Sequence, residues 1–425
     1  MPIGGIDAHS CRSSGSTLDD GETMKSLQTF RRAAVITVAA LALAACGSDD
    51  EKSGSDPGGD TIVLGMVTDT SGGAAGYASY TSVAIDLAIK EINAAGGLAG
   101  KQVSLITESD GSDTTQTPTL TRRLIENGAD VILLNSGSAS AIAAKGVCVE
   151  EKILCVAPTN LSADIIKPPD NDNIYILGPT SAGIGESFAA GMKKAGYSKL
   201  AVIADDVPTI QGYVPVLVGA ITGAGLTSVA EEKVPADAAD VSAQIARVKE
   251  AAPDVILVMS LGGQTEALVQ NALHQQLPDV QRFSLASIGN QPTTWALADP
   301  GALEGLVYAG SIDPGNPRTT EFAAKLAAVG GDKSALTAYG TQGYDSVYLV
   351  AEAIKKAGGV ADKSKLNETF QQISGYQAHY GQSDFTMSFG PDKHVGSDGN
   401  CGLVLAQFGA DNKPGAPWSV YQPTC

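Results

Sequence analysis

From residue 61 onward, hydrophobic positions alternate between short β-branched runs and longer stretches with a helical period. TIVLGMV (residues 61–67) is an apolar run ended by Thr, Asp, Ser and Gly, which predicts a buried strand and its turn. The next apolar residues recur at i, i+3, i+4 and i+7, at Ile85, Ala88, Ile89 and Ile92. This spacing predicts an amphipathic helix, and Gly96-Gly97 marks its C-terminal end.

The same alternation continues through the next hundred residues. It predicts strands at 102–108, 131–134 and 153–157, with helices at 118–127 and 139–150. Strict alternation of strand and helix favours a mostly parallel sheet that is covered by helices on both faces.

The pattern then repeats in the second part of the chain. A strand is predicted at 200–204 and a helix at 214–223. The sequence GADVILL (128–134) is similar to APDVILV (252–258), which lies 124 residues later and in the same strand position. Two similar halves in one chain predict an α/β fold with two Rossmann-like lobes, each built on a parallel central sheet.

Later elements return to both lobes. EGLVYAG (304–310), a helix at 344–359 and GLVLAQF (402–408) suggest crossings between the lobes near 180, 308 and 388. The predicted N-terminal lobe is therefore 61–180 plus 308–387. The predicted C-terminal lobe is 181–307 plus 388–425.

The segment before residue 46 has the succession of basic, apolar and small residues that is typical of a secretory signal peptide. From Met24, Lys25, Arg31 and Arg32 precede an apolar stretch that ends in Leu43-Ala44-Ala45-Cys46. This ending is similar to a bacterial lipobox, in which cleavage precedes a cysteine that is then lipidated. We expect residues 1–45 to comprise an upstream extension (1–23) and the signal peptide; the alternative is a buried helix that ends in an incidental cysteine.

Residues 46–60 are expected to form a lipid anchor and a flexible tether. Cys46 is the candidate lipidation site, and GSDDEKSGSDPGGD after it contains no apolar residue. The sequence thus predicts an extracytoplasmic body that is held to the membrane by its N-terminal lipid.

Four cysteines remain in the predicted mature body, an even number that favours disulfides in an exported chain. Local pairing would join Cys148 to Cys155 and Cys401 to Cys425. Four cysteines allow three connectivities, and free thiols are a further alternative.

Charge and motifs exclude several classes of function. The chain carries a formal charge of −18 without clustered Lys and Arg, which argues against nucleic-acid binding. It contains no GKS or GKT, no G-x-S-x-G, and no His/Cys spacing of a metal site. We therefore expect no metal, no cofactor and no enzyme activity.

Residues 61–113 resemble the opening of the branched-chain amino acid (Leu/Ile/Val) binding protein family. The specific features are the turn SGGA (71–74), then Tyr77, the helix ending EINAAGG (91–97), and ESD (108–110) after the second strand. The resemblance covers nearly all of 61–410. It implies a type I periplasmic binding fold, with two lobes that are joined by three hinge strands and close on a small-molecule solute. It further implies ABC transporter permease subunits as partners and a monomeric protein.

The resemblance places candidate ligand-binding residues in the first lobe. Ser138 follows a strand and begins a helix, where a serine and the first backbone N–H groups of a helix hold a ligand carboxylate; the alternative is a plain serine N-cap. Thr159 and Asn160 follow the next strand and are candidates for the polar head of the ligand, or belong to a simple loop. Tyr77 is a candidate ring contact, or a hinge-packing tyrosine.

Two candidates come from the second lobe. Thr209 stands where the family has a tyrosine, and Ser287 stands near its acidic partner for an ammonium group. Residues 283–297 contain no Asp or Glu. Because a buried ammonium without a charged partner costs several kcal/mol of desolvation, we hypothesise a carboxylate or amide solute without a free α-ammonium.

Two other functions remain open. A ligand sensor would present its closed form to a membrane receptor, and would co-purify with that receptor instead of a permease and an ATPase. An exported enzyme would turn over the compound that it binds.

Overall fold

Strands and helices alternate through the part of the chain that the structure describes. The computed structural model describes residues 61–328, 336–397 and 399–424. The predicted signal peptide, Cys46 and the tether lie outside these ranges, so they stay predictions. Among the helices described, none is both long and apolar enough to cross a membrane.

The strands carry the apolar runs of the sequence. In chain order they are β1 (Thr61–Thr68), β2 (Gln102–Ser109), β3 (Val131–Asn135), β4 (Leu154–Ala157), β5 (Ile174–Ile176), β6 (Lys199–Asp205), β7 (Thr227–Val234), β8 (Val255–Met259), β9 (Gln281–Ser284), β10 (Val307–Gly310), β11 (Tyr376–Gln377), β12 (Thr386–Met387), β13 (Val404–Phe408) and β14 (Pro414–Pro417).

The helices lie between the strands and pack on the sheets. In chain order they are α1 (Ala75–Ala94), α2 (Thr117–Glu126), α3 (Ser138–Glu150), α4 (Ser181–Lys194), α5 (Pro208–Gly223), α6 (Ser242–Glu250), α7 (Gly263–Gln276), α8 (Ala286–Gly289), α9 (Pro292–Leu297), α10 (Pro317–Ala328), α11 (Ala338–Ala357) and α12 (Lys363–Gln371).

Two helices begin earlier than predicted. α5 begins at Pro208, six residues before the predicted start at Val214, because proline in the first turn has the φ that a helix needs and lacks an N–H that would be unpaired there. α11 begins at Ala338, before the predicted Tyr344, despite two glycines in its first turns. Both extensions bring side chains to the space between the lobes.

The first lobe is built on a five-stranded sheet of order β2-β1-β3-β4-β5. Every neighbouring pair is parallel, and β3 is buried along its whole length. Leu133 packs in the core on one face, with α1 and α11, and its neighbour Leu134 packs in the core on the other face, with α3. The prediction of a parallel sheet covered on both sides is confirmed.

The second lobe contains a seven-stranded sheet of order β14-β13-β10-β9-β8-β6-β7. Its central strands are parallel, whereas β13 and β14 are antiparallel to their neighbours. Gly310, the last residue of β10, pairs with Val404, the first of β13. β10 leaves the sheet at the edge where β13 enters it, and this return makes β13 antiparallel.

The two similar sequences, 128–134 and 252–258, occupy equivalent places in the two sheets. Asp130 precedes β3, and its carboxylate accepts the N–H of Val63 in β1 at 2.8 Å. Asp254 precedes β8, and its carboxylate accepts the N–H of Lys199 in β6 at 2.8 Å. The repeated Asp-Val-Ile-Leu therefore links the first and third strands in chain order of each lobe.

The third crossing between the lobes lies later than the predicted position near 388. The carbonyl of His394 accepts the N–H of Ile176, and the N–H of Gly396 donates to the carbonyl of Ile176. Phe389 packs in the core of the first lobe. Residues 388–396 thus stay with the first sheet, because they extend its edge beside β5; their irregular sequence carries no period that predicts this pairing.

One of the two predicted disulfides is confirmed. Cys148 in α3 is bonded to Cys155 in β4, and both side chains are buried. Cys401 is buried and disulfide-bonded, but Cys425 lies outside the described residues, so the pairing of Cys401 with Cys425 stays a prediction.

Loss of the Cys148–Cys155 disulfide should lower stability moderately. The bond closes a loop with a sequence separation of 7, for which chain entropy gives about 2 to 3 kcal/mol. We expect the double variant C148A/C155A to lose this amount in urea unfolding. Equal unfolding free energies with and without the bond would contradict this expectation.

Candidate functional site

The candidate site lies between the carboxyl ends of the strands of the two lobes. Segments after β1, β2 and β3 approach it from the first lobe, and segments after β6 and β8 approach it from the second. In open α/β sheets, ligands bind at this edge. A cavity of about 110 Å³ lies there, lined by both lobes, and among its walls are Gly73, Ser112, Gly137, Ala139, Thr209 and Leu261.

The first loop is held by the buried carboxylate of Asp69. This carboxylate accepts the backbone N–H groups of Ser71 at 3.0 Å, Gly72 at 2.6 Å and Ala74 at 2.8 Å. It also accepts a short hydrogen bond from the Ser112 hydroxyl. A Cβ on Gly72 would lie 2.2 Å from the carbonyl oxygen of Gly111. The SGGA turn therefore needs glycine at 72 to bring α1 to the cleft.

Ser138 joins the two lobes. Its hydroxyl oxygen accepts the N–H of Leu161 at 3.2 Å and bonds to the phenol of Tyr213, in α5 of the second lobe, at 2.7 Å. The N-cap of α3 is Gly137, without a side-chain cap, so the alternative of a plain serine N-cap is wrong. Ser138 begins the helix as predicted, and its contact with a ligand stays a prediction.

Thr209 meets the same helix end from the opposite lobe. It lies in the first turn of α5, and its hydroxyl oxygen accepts the N–H of Ala139 at 3.3 Å. A Cβ on Gly137 would lie only 2.7 Å from this oxygen. The absence of a side chain at 137 thus permits the close approach of the two lobes.

Thr159 and Asn160 lie beside Ser138 after β4. The Asn160 amide donates to the carbonyl of Ser136 at 2.9 Å. The hydroxyl oxygen of Thr159 and the amide oxygen of Asn160 are buried and have no hydrogen-bond partner. Buried polar atoms are normally paired, so these two oxygens are candidates to accept from a ligand.

Tyr77 and Ser287 meet at Tyr339, which the sequence did not single out. The rings of Tyr77 and Tyr339 pack edge to face, with centroids 5.0 Å apart. Ser287 lies beside the Tyr339 phenol, and the backbone N–H of Tyr339 donates to Asn290 of the second lobe at 3.0 Å. Burial raises the pKa of Tyr77 and Tyr339 well above the ordinary value. Tyr77 therefore has the packing role that was left open, and its ligand contact stays a prediction.

All six candidate residues are buried. The structure brings Ser138, Thr159 and Asn160 together, joins Tyr77 to Ser287 through Tyr339, and places Thr209 on the cavity wall. Tyr213, Tyr339 and Asn290 were missed. Tyr213 and Tyr339 lie in the early turns of α5 and α11, which precede the helix starts that the sequence pattern indicated.

Sequence reasoning also missed two buried acids in the second lobe. Asp205 ends β6 and accepts the Ser260 hydroxyl at 2.6 Å and the N–H of Leu261 at 3.3 Å. Burial raises its pKa to about 6. Glu266 in α7 bonds to the Ser284 hydroxyl, and burial raises its pKa to about 8. Asp205 could have been found from the sequence, because it is an acidic residue at the end of a predicted strand. Glu266 carries no such signal, because it reaches β9 only through tertiary packing.

One histidine forms a pair that occurs in hydrolases. His379 Nδ1 lies 2.5 Å from the Asp345 carboxylate, and both side chains are buried. Its other ring nitrogen, Nε2, has no hydrogen-bond partner, so no described serine or cysteine is bonded to it as a nucleophile. Among the described residues, no group of three or more His, Cys, Asp or Glu is arranged to hold a metal ion.

Comparison with solved structures agrees with this architecture. The branched-chain amino acid transporter substrate binding protein LivJ from Streptococcus pneumoniae, solved with isoleucine, has a TM-score of 0.72 at 19% identity, covering 84% of this chain and 98% of that one. The leucine binding protein LivK from Thermotoga maritima has a TM-score of 0.70 at 18% identity, covering 82% and 96%. The predicted type I periplasmic binding fold is confirmed.

Sequence comparison identifies the family. A Leu/Ile/Val-binding protein homolog from Brucella suis is 25% identical over 327 residues, or 74% of this chain and 85% of the relative. A leucine-, isoleucine-, valine-, threonine- and alanine-binding protein from Pseudomonas aeruginosa is 24% identical over 323 residues, or 73% and 82%. The family model for periplasmic binding proteins matches residues 61–407. The resemblance to the branched-chain amino acid type is confirmed, and this chain belongs to the periplasmic binding protein family.

Proposed function

We propose that this protein is an extracytoplasmic solute-binding lipoprotein of an ABC importer. It captures a small polar solute, a carboxylate, amide or amino acid, in the cleft between its lobes and holds it by hinge closure. The observation that carries the proposal is the cavity at the carboxyl ends of the strands, which is walled by both lobes. Rigid lobes on a hinge enclose a ligand by rotation.

The setting of this function is also proposed. Cys46 anchors the mature protein to the membrane, residues 47–60 tether the body, and permease subunits receive the solute. The protein acts as a monomer on the cell surface or in the periplasm. Support comes from the signal-peptide pattern in the sequence and from relatives that are named as amino-acid-binding or transporter proteins.

The second-lobe residues bear on the type of solute. Ser287, which stands in place of the acidic partner, is uncharged and lies beside the Tyr339 phenol. Burial holds the pKa of Glu266 near 8, so this carboxyl is largely protonated at pH 7 and offers no charge to an ammonium group. These facts support the hypothesis of a solute without a free α-ammonium.

A sensor that presents its closed form to a membrane receptor is the second candidate. The observation that favours it is the direct contact between lobes, Tyr213 to Ser138 and Tyr339 to Asn290, which gives the closed form a defined surface. Purification from membranes separates the two candidates. A co-purifying permease and ATPase support import, whereas a co-purifying receptor supports sensing.

Thermal unfolding in the presence of solutes tests the binding function. A soluble form that begins at Gly47 is heated with amino acids, organic acids, aromatic acids and amides. A solute at 100 times its Kd stabilises the native state by about 2.7 kcal/mol, which is expected as a clear rise in the unfolding midpoint. If no solute of a broad panel raises the midpoint, the proposal fails.

A further inference from the structure

The third crossing between the lobes is a single short stretch of chain. Cys401 packs in the core of the first lobe, whereas Leu403 and Leu405 pack in the core of the second. The crossing therefore falls at Gly402, where an added Cβ would lie 3.1 Å from the ring of Phe385. When two lobes rotate, the backbone angles that change lie at such crossings. Contacts made beside Gly402 thus bear directly on the motion of the lobes.

The C-terminal segment after β14 is held by the second lobe. Trp418 packs edge to face against Phe283 of β9, with ring centroids 5.3 Å apart. The side-chain amide of Gln422 bonds to both backbone groups of Leu405 in β13: it accepts the N–H at 3.1 Å and donates to the carbonyl at 2.7 Å. Residues 418–422 are therefore expected to move with the second lobe.

The next residue, Pro423, meets a side chain of the first lobe. The backbone of Gln382 is held there, because its N–H donates to the carbonyl of Cys401 at 3.0 Å and its carbonyl accepts the N–H of Phe385 at 2.9 Å. The side-chain amide of Gln382 donates to the carbonyl of Pro423 at 2.7 Å and to that of Leu403 at 3.2 Å. One amide of the first lobe is thus bonded to two carbonyls that are held by the second lobe.

These bonds fit one arrangement of the lobes. A hydrogen bond is weak once its heavy atoms are more than about 3.5 Å apart, so a displacement of about 1 Å breaks the bond from Gln382 to Pro423. The arrangement in which the bond is made is the closed one, with Thr209 bonded to the N–H of Ala139 across the cleft. A contact that is made in only one of two states shifts the equilibrium toward that state.

We propose that residues 418–423 form a strap across the third crossing, which favours the closed lobes through its bond to Gln382. The inference rests on the hinge closure of the proposed function and adds an element that sets the balance between the open and closed forms. Cys401, beside the strap, is disulfide-bonded. Its predicted partner, Cys425, would follow two residues after Pro423, but the bond from Gln382 does not depend on that pairing.

Hydrogen exchange measures the open population without any solute. The N–H groups of Ala139 and Tyr339 lie in the first turns of α3 and α11, where a helix supplies no partner of its own. Both donate across the cleft instead, so their exchange reports opening of the lobes. Gln382→Met keeps the length of the side chain and removes its donor. We expect both N–H groups to exchange about fivefold faster in this variant.

Two controls separate opening from a general loss of stability. Gln372→Met, at an exposed glutamine of the first lobe, should exchange like the wild type. Low concentrations of urea should change the two rates little, because rotation of lobes exposes less surface than unfolding does. The inference is overturned if Gln382→Met exchanges at the wild-type rate at Ala139 and Tyr339. It is also overturned if these rates rise with urea as steeply as the rate of Leu133 in the core of β3.

A second variant tests the strap from the other lobe. Gln422→Met removes both bonds to Leu405 and leaves Gln382 in place, so it decides the question if Gln382→Met does not fold. We expect the same two N–H groups to exchange faster, and unchanged rates contradict the inference. Because no solute is present, failure of the strap is distinct from failure of the binding function, which would appear as a midpoint that no solute raises.

Discussion

Replacing Glu266 with glutamine is expected to stabilise the protein at pH 8 and to flatten the dependence of its stability on pH. The carboxyl of Glu266 is fully buried, and one of its oxygens has no hydrogen-bond partner. The nearby carboxyl of Asp205 disfavours a second negative charge on Glu266. The guanidinium of Arg282 is bonded to Gln270 at 3.1 Å. The neutral form of Glu266 is therefore the one that fits.

The sign of the effect follows from proton binding. Burial raises the pKa of Glu266 in the folded protein from 4.5 to about 8, so the native state keeps a proton that the unfolded chain loses above pH 4.5. Stability then falls as the pH rises through this window. At about 1.36 kcal/mol for each pH unit, the loss is on the order of 5 kcal/mol by pH 8. Asp205 adds to the decline between pH 3.8 and about 6.

Urea unfolding between pH 4.5 and 9 measures this effect. Glutamine mimics the protonated carboxyl and does not titrate. The free energy of unfolding of the variant should therefore exceed that of the wild type by a growing amount as the pH rises. Glu368→Gln, at an exposed position in α12, is the control and should follow the wild-type profile. Parallel profiles for wild type and Glu266→Gln would show that Glu266 is ionised in the native state.

Gly137→Ala is expected to separate the lobes without unfolding either of them. The added Cβ would lie 2.7 Å from the Thr209 hydroxyl oxygen and would have no closer contact. Gly137 has φ −64° and ψ 158°, an extended conformation that alanine adopts freely. The clash therefore acts only across the cleft, where overpacking costs about 1 to 3 kcal/mol.

A second substitution should reverse the effect. Thr209→Ala removes the clashing oxygen, and the nearest remaining atom, the Cβ of residue 209, lies 3.7 Å from the new Cβ. We expect X-ray scattering to give a larger radius of gyration for Gly137→Ala than for the wild type, and a return to the wild-type value in the double variant. Equal radii for all three proteins would show that this contact does not control closure.

The fold was predictable because its signal is local. Apolar runs such as β3 and the echoed Asp130 and Asp254 carry the strand pattern and the duplication within a few residues. The antiparallel β13 and the extension of the first sheet by residues 388–396 were not predictable. Their pairing depends on where the chain re-enters a sheet, and no local period encodes that point.

The candidate site was predictable only in part. Ser138, Thr159 and Asn160 directly follow strands, so their position at the cleft follows from the alternation of strands and helices. Tyr339 and Glu266 lie within helices and reach the interface or β9 through tertiary packing. The partners of a side chain across the cleft, such as Thr209 and Gly137, depend on how two lobes close, which the sequence of either lobe does not contain.

Titration calorimetry with the most stabilising solute tests the central claim most directly. The account predicts one site per wild-type molecule, an affinity about 10- to 100-fold weaker for Gly137→Ala, and recovery in Gly137→Ala/Thr209→Ala beyond any loss in Thr209→Ala alone. This pattern would place the solute in the cleft between the closed lobes. Equal affinity for wild type and Gly137→Ala would contradict the account, because binding would then be independent of lobe closure.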